Sequence, residues 1–301
     1  MKSSPEPVGI IAGWGSFPVE VAEQLRSRGI DVYVAGLRGH ASPDLQHIAT
    51  GFEWKGVLKI GAQMRFLQRN GVSRVVLAGK IFKDRILYHG LGWIQHLPDL
   101  TTYRILGGSF VTKSRDGRDD TVLSAVVSAF ERKSMKILSV TEVAPSLLIQ
   151  EGVACGGKPG RSGQLDADFG WHIARQMGGL DIGQSVTVKD QVVLGVEAIE
   201  GTDALIHRTG ALCPRGGFTL VKIAKPNQDM RFDVPTIGCR TVEQMAKAGG
   251  KTIVVEAGKT IFVDREETLR TAAKYQVRII ALSAEKVSSV TDTRETSEIA
   301  A

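Results

Sequence analysis

"VGIIAGWGSFPVEVAEQLRSRG", Val8 to Gly29, is the stretch that decides the fold class. Val8–Gly13 is a short, wholly apolar run that reads as a buried strand, and Pro18–Gly29 carries the apolar spacing of a helix packed on one side. Pro18 fits a first helical turn because its missing N–H has no intrahelical partner to lose there, and Gly29 is a stop. A strand that passes through a glycine loop into a helix is the opening of a βαβ unit. The continuation agrees: Asp31–Leu37 reads as a second strand, "KIGAQMRFLQRNG" as a second helix and Ser73–Lys80 as a third strand. That alternation predicts a parallel sheet with right-handed crossovers. A helix over Asp119–Lys133, then a strand and a short helix in "KILSVTEVAPSLLIQ", complete an N-terminal domain over 8–150.

The pattern changes at "EGVACGGKPGRSG" (Glu151–Gly163), which is glycine-rich and aperiodic and is taken as a linker over 151–163. Beyond it, Ser185–Ala198 reads as a hairpin turning at Lys189-Asp190, "GTDALIHRTGALC" as a helix and Phe218–Ala224 as a strand. Three further strands, in "TIVVEAG", "TIFVD" and "VRIIALS", alternate with two helices. The expectation is α/β with two domains. An N-terminal Rossmann-like parallel sheet is followed by a C-terminal mixed-sheet domain over 164–284. Residues 1–7 and 285–301, polar and aperiodic, are expected to be a flexible start and a disordered tail.

Composition narrows the function. The 301-residue chain is 43% hydrophobic and 23% charged, a globular balance. Its three cysteines, Cys155, Cys213 and Cys239, form no CxxC pair, which excludes zinc ribbons and thioredoxin-like sites and suits free thiols in the cytoplasm. No signal peptide is legible, and the apolar runs fall far short of the ~20 residues that span a bilayer. A net charge of +6 favours anionic partners. Nucleic acid is not among them, because no basic stripe or readout motif accompanies the charge.

Five stretches carry chemistry. In the loop "GIIAGWGSFP", Gly13, Gly15 and Ser16 stand between strand and helix, where backbone can approach an anion. Pro18 takes the third glycine position of a dinucleotide fingerprint, and no acid follows the second strand. A phosphate- or sugar-facing loop and a purely structural turn both remain open. "VEAIEGTD" sets Glu197, Glu200 and Asp203 at intervals of three, a spacing that suits Mg²⁺ or Mn²⁺, although Thr202 or Asp203 as a plain helix cap explains it too. "KPNQDMRFDVPTIG" (Lys225–Gly238) follows a strand directly. It places Asp229, Arg231 and Asp233 after Lys222 and Lys225, all inside a frame of Pro226, Pro235 and Gly238. Carboxylates able to hold a metal beside cations able to hold phosphate oxygens are what phosphoryl chemistry needs. "LAGK" (Leu77–Lys80) and "GRDD" (Gly117–Asp120) end a strand and begin a helix.

These segments, with "LVKIAKPNQDMRFDVPTIG" and "VVEAGKTIFVDRE", occur in an order that resembles the UDP-2,3-diacylglucosamine pyrophosphatases of the LpxI type, across roughly Val8 to Ser283. The resemblance implies metal-dependent hydrolysis, with Mg²⁺ or Mn²⁺, of UDP-2,3-diacylglucosamine to UMP and lipid X in lipid A biosynthesis. It also implies an active site in the cleft between the domains. Carried over, Asp229 and Asp233 would ligate metal or orient water, and Glu197 would be a further ligand. Lys222, Lys225 and Arg231 would neutralise phosphate oxygens, with polar contacts from Gln228, Thr202, Asp203 and Thr236. Asp119, Asp120, Gly79 and Lys80 would face the cleft from the first domain. One departure is that Trp14 and Phe17 stand in a loop that usually runs AGGGxLP.

The implied partners are the UDP-lipid substrate, its lipid X product and the inner face of the cytoplasmic membrane as a peripheral surface; a homodimer is compatible with the sequence. Two rival readings predict different behaviour. An oxidoreductase on the N-terminal domain would bind a dinucleotide without metal. A non-catalytic nucleotide-sugar or lipid binder would be indifferent to Asp229→Ala.

Overall fold

The computed structural model describes residues 5–81, 97–111 and 119–285, with side chains described outside 106–122. The expected flexible start and disordered tail fall largely outside these residues. The chain divides into two compact units, one of Met1–Ala144 with Met230–Phe232, the other of Pro145–Asp229 with Asp233–Ala301.

In the first unit β1 (Val8–Ala12), α1 (Phe17–Ser27) and β2 (Val32–Leu37) follow the sequence reading, and every residue of β1 is buried. A short helix, α2 (Leu45–Ile48), leads to β3 (Gly51–Lys55), then α3 (Ile60–Arg69) and β4 (Arg74–Ala78). The described elements continue with α4 (Leu100–Val111), α5 (Asp119–Glu131), β5 (Lys136–Leu138) and α6 (Val140–Val143). The five strands are parallel in the order β3-β2-β1-β4-β5. β3 escaped the sequence reading for a physical reason. It is an edge strand, "GFEWK", half-buried along its whole length, and so carries no continuous apolar run.

The second unit starts at Pro145, and its first strand lies inside the stretch expected to be a linker. Gly152–Cys155 forms β6, an edge strand antiparallel to the last strand, and helix α7 (Arg161–Gly179) begins shortly after. No element was anticipated over most of α7, because its glycines weaken the helical signal. Gly170 shows what they do: a Cβ there would lie 2.6 Å from Val221 Cγ2, so the bare backbone lets the helix lie flat on the sheet. β7 (Ser185–Lys189) and β8 (Val192–Val196) make the hairpin, with Asp190 and Gln191 both at positive φ in its turn. Then come α8 (Thr202–Leu212), β9 (Thr219–Lys222), β10 (Thr236–Ile237), α9 (Cys239–Lys247) and β11 (Thr252–Glu256). β12 (Ile261–Phe262), α10 (Arg265–Tyr275) and β13 (Arg278–Leu282) complete the unit.

The main sheet is mixed, in the order β6-β13-β11-β9-β7-β8, and β10 pairs with β12 separately. One core gathers Leu205, Phe218, Val242, Met245 and Phe262, and a smaller one gathers Trp171, Val186, Val188, Val221 and Val254. Fully burying such side chains stabilises by about 1.5–3 kcal/mol each before chain entropy is counted. The three cysteines are free, half-buried thiols. Among the described residues no helix is long and apolar enough to cross a membrane.

Candidate functional site

Strand β9 is buried throughout and ends on Lys222, which is 8% exposed. Lys222 pairs with Ser185 of antiparallel β7 and with Val255 of parallel β11. The carboxyl ends of β9 and β11, the start of β7 and the end of β8 therefore share one sheet edge, the usual place for ligands in α/β sheets. A buried ammonium needs partners, and Lys222 Nζ donates to Thr202 Oγ1 at 3.1 Å. Thr202 in turn donates to Glu197 Oε1 at 2.8 Å. Glu197, 7% exposed, holds its second oxygen, Oε2, without a hydrogen-bond partner. Helix α8 is entered from Gly201 at φ +82 with no side-chain cap. Thr202 is thus no helix cap; its hydroxyl links a buried cation to a buried acid.

The three backbone amides that follow Lys222 each have an acceptor. Ile223 N donates to Gln184 O at 3.0 Å, Ala224 N to Glu256 Oε2 at 3.1 Å and Lys225 N to Gln228 Oε1 at 2.7 Å. Gln228 also donates from Nε2 to Gln184 Oε1 at 3.4 Å. Its side chain closes the turn. Lys225 Nζ is 2.8 Å from Asp181 Oδ1. Asp229 and Asp233, both half-buried, are tied by Asp233 N donating to Asp229 O at 3.0 Å. Between them Met230–Phe232 pack with the first unit: Ser139 Oγ donates to Met230 O at 2.8 Å, and Arg231 pairs with Glu131 at 2.9 Å. Thr236, at the start of β10, gives its hydroxyl to Val234 O.

Other expected residues are placed differently. Asp203 forms an exposed ion pair with Arg240 at 2.7 Å, joining α8 to α9. Glu200 pairs with Arg208, and its carboxyl is held below the usual range by its own amide and by that guanidinium. Helix α5 begins at Asp119, but the side chains of Asp119 and Asp120 lie outside those described. Among the described residues no three His, Cys, Asp or Glu side chains converge as a ready-made metal cage. The sequence reading passed over Glu256, which is 1% exposed. Its signal was legible, an ionisable residue closing the otherwise apolar run "TIVVE".

In the first unit, the loop that carries Gly13, Gly15 and Ser16 and the loop that carries Gly79 and Lys80 are joined by a Trp14–Lys80 bridge, where strand order reverses between β1 and β4. Two of the loop amides there have protein acceptors: Gly13 N donates to Ala78 O at 2.7 Å and Trp14 N to Lys80 O at 2.8 Å. A dinucleotide loop leaves such amides for a pyrophosphate.

The model of the LpxI N-terminal domain matches residues 7–147, and that of the LpxI C-terminal domain matches 150–280. A curated relative, the UDP-2,3-diacylglucosamine pyrophosphatase LpxI of Caulobacter vibrioides (strain ATCC 19089 / CIP 103742 / CB 15), is 34% identical over 272 residues, covering 88% of this chain and 93% of the relative.

Proposed function

The chain belongs to the LpxI family, and from that premise we propose that it hydrolyses the pyrophosphate of UDP-2,3-diacylglucosamine to UMP and 2,3-diacylglucosamine 1-phosphate, a step of lipid A biosynthesis. The observation that carries the reading is the buried Lys222–Thr202–Glu197 chain at the carboxyl edge of β9, continuous with the segment that holds Lys225, Asp229 and Asp233. A pyrophosphate approaching this edge meets the ammonium groups of Lys222 and Lys225. Both are preorganised by partners that fix where their N–H donors point, which favours the charge that develops on phosphate oxygens. Asp229 or Asp233 accepts a proton from the attacking water. An oxygen–phosphorus bond forms on the sugar-side phosphorus, the bridging P–O bond breaks, and UMP leaves with its bonding electrons.

Mg²⁺ or Mn²⁺ belongs to the same proposal. Mg²⁺ is commonly bound by one or two carboxylates together with substrate phosphates, so a three-acid cage is not required. The two tied aspartates, and the unpartnered Oε2 of Glu197, are acids of the right kind. When bound, such an ion neutralises phosphate charge. Association with a membrane surface and a homodimer belong to the same proposal.

The test is UMP release from UDP-2,3-diacylglucosamine with each divalent cation, with chelator, and in Asp229→Ala and Asp233→Asn. The expected result is turnover that is lost on chelation and falls by a factor on the order of 10² or more in each variant. Wild-type turnover in both variants would move the chemistry away from this segment. Full activity in chelator would remove the metal and leave the hydrolase. Folded protein with no UMP release under any condition would overturn the reading.

A further inference from the structure

Glu256 is the least expected feature of the sheet edge. It ends β11 as a carboxylate 1% exposed, a position where an acid persists only if each oxygen is satisfied. Oε2 accepts from Ala224 N at 3.1 Å. Oε1 faces Lys259 Nζ at 2.8 Å and, on the other side, Arg175 NH1 at 3.7 Å. Arg175 reaches it from α7 and Lys259 from the loop after β11. The Arg175 nitrogen is buried with no hydrogen-bond partner, so Glu256 supplies its counter-charge.

The place of Ala224 gives this cluster its meaning. It lies between Lys222, whose ammonium holds Thr202, and Lys225, whose amide is held by Gln228. The neighbouring amides are held from elsewhere, Ile223 by Gln184 and Lys225 by Gln228. Glu256 is the side chain from β11 that fixes the middle of this run. The C-terminal end of α7 limits the same turn from another direction, because a Cβ on Gly178 would lie 3.1 Å from Pro226 Cδ and 3.2 Å from Lys225 Cα.

We propose that Glu256 is a positioning residue of the site: through the Ala224 amide it sets the path of the chain from Lys222 to Gln228, and so the placement of both ammonium groups. This rests on the reading that these lysines face the reacting phosphates. It differs from a stability role, since the ion pairs with Lys259 and Arg175 could stabilise the unit with no bearing on the site.

Two readouts separate the possibilities. The first is amide hydrogen exchange of the peptide spanning Ile223–Asp229, which needs no substrate. In Glu256→Ala, exchange is expected to accelerate in that peptide while β7 and β13 stay protected. The second is steady-state UMP release. Glu256→Ala is expected to lower kcat by about 10- to 100-fold with KM within about threefold, the scale of a small misplacement of reacting groups. Glu256→Gln keeps an oxygen for the Ala224 amide, and half-exposed Lys259 can swing away from the new NH₂; it is expected to stay within about fivefold of wild-type kcat. Lys259→Ala, which breaks the closest ion pair and leaves the Ala224 bond intact, is expected to retain wild-type kcat and protection.

Equal losses in Glu256→Gln and Glu256→Ala, exchange that rises uniformly across the unit, or wild-type kcat in Glu256→Ala would each overturn the proposal. If Glu256→Ala does not fold, the comparison of Glu256→Gln with Lys259→Ala decides it: local exchange protection kept in both supports it, and local protection lost in Lys259→Ala overturns it. Inactive wild-type protein would sink the proposed reaction and leave the exchange result to judge Glu256 alone.

Discussion

Trp14 and Lys80 exchange both backbone hydrogen bonds, Trp14 N to Lys80 O at 2.8 Å and Lys80 N to Trp14 O at 3.0 Å. The loops after β1 and β4 are thereby one piece, and the glycines beside the bridge exist for it. A Cβ on Gly13 would lie 2.7 Å from Lys80 O. On Gly79, at φ +91, it would lie 2.8 Å from Gly13 C. Gly13→Ala and Gly79→Ala are therefore expected to cost about 1–3 kcal/mol each. Gly15→Ala has a positive φ but open space around its Cβ and is expected to cost only about 1 kcal/mol. Urea unfolding midpoints decide it, and a Gly13→Ala midpoint equal to wild type would contradict the close approach.

Thr202 holds Lys222 on one side and Glu197 on the other. Thr202→Val keeps the shape and leaves two buried charged groups each short of a partner, for a loss of about 1–3 kcal/mol. Thr202→Ser restores the hydroxyl and is expected to recover most of it. Calorimetry on the three proteins tests this, and equal stability of the Val and Ser variants would show that the hydroxyl carries nothing.

The hairpin turn of β7 and β8 puts Asp190 at φ 51 and Gln191 at φ 59, both left-handed. Positive φ at both central positions is the geometry that favours Asn-Gly or Asp-Gly. Gln191→Gly is expected to stabilise by about 0.5–1 kcal/mol by removing the strain of a side chain there. The amide that donates to Asp166 Oδ1 at 2.7 Å is unaffected. Asp166→Ala removes that acceptor and is expected to destabilise. Chemical denaturation reads both, and a destabilised Gln191→Gly would show that the glutamine side chain contributes more than its backbone strain.

Glu53, on edge strand β3, is held below the usual glutamate range by its hydrogen bond from Lys55, with smaller contributions from the charges of Lys55 and Arg69. Its carboxylate therefore contributes stability above the unfolded glutamate pKa and loses it as pH falls through the lower folded value. The group is mostly solvated, so the contribution is below about 1 kcal/mol. Glu53→Gln is expected to be slightly less stable than wild type at neutral pH, and the two are expected to converge in acid. A gap that widens as pH falls would reverse the assigned sign.

Much of this architecture was written locally. β1 and α1 are legible because a buried parallel strand is an unbroken apolar run and an amphipathic helix repeats its apolar residues near every third or fourth position. β3, α4 and most of α7 were not. An edge strand mixes polar and apolar residues, and in α7 the glycines that let it approach the sheet are the residues that blur a helical pattern. The site divides in the same way. Lys222, Lys225, Asp229 and Asp233 stood out because opposite charges crowd a proline-framed window. That Gln228 also closes its own turn through the amide of Lys225 was not legible, because a side-chain amide carries no local sign of which backbone group it meets.

The sequence by itself determined that two α/β units would form, and it located the charged segment after β9, because periodicity, turn residues and local charge density are properties of neighbouring positions. Only the tertiary structure decided that Thr202 joins Lys222 to Glu197 and that Glu256 holds the amide of Ala224. Those residues lie 20 and 32 positions apart in the pairs that meet, Thr202 with Lys222 and Ala224 with Glu256. Such meetings follow from strand order and register, and no local pattern encodes which buried acid will find which buried donor.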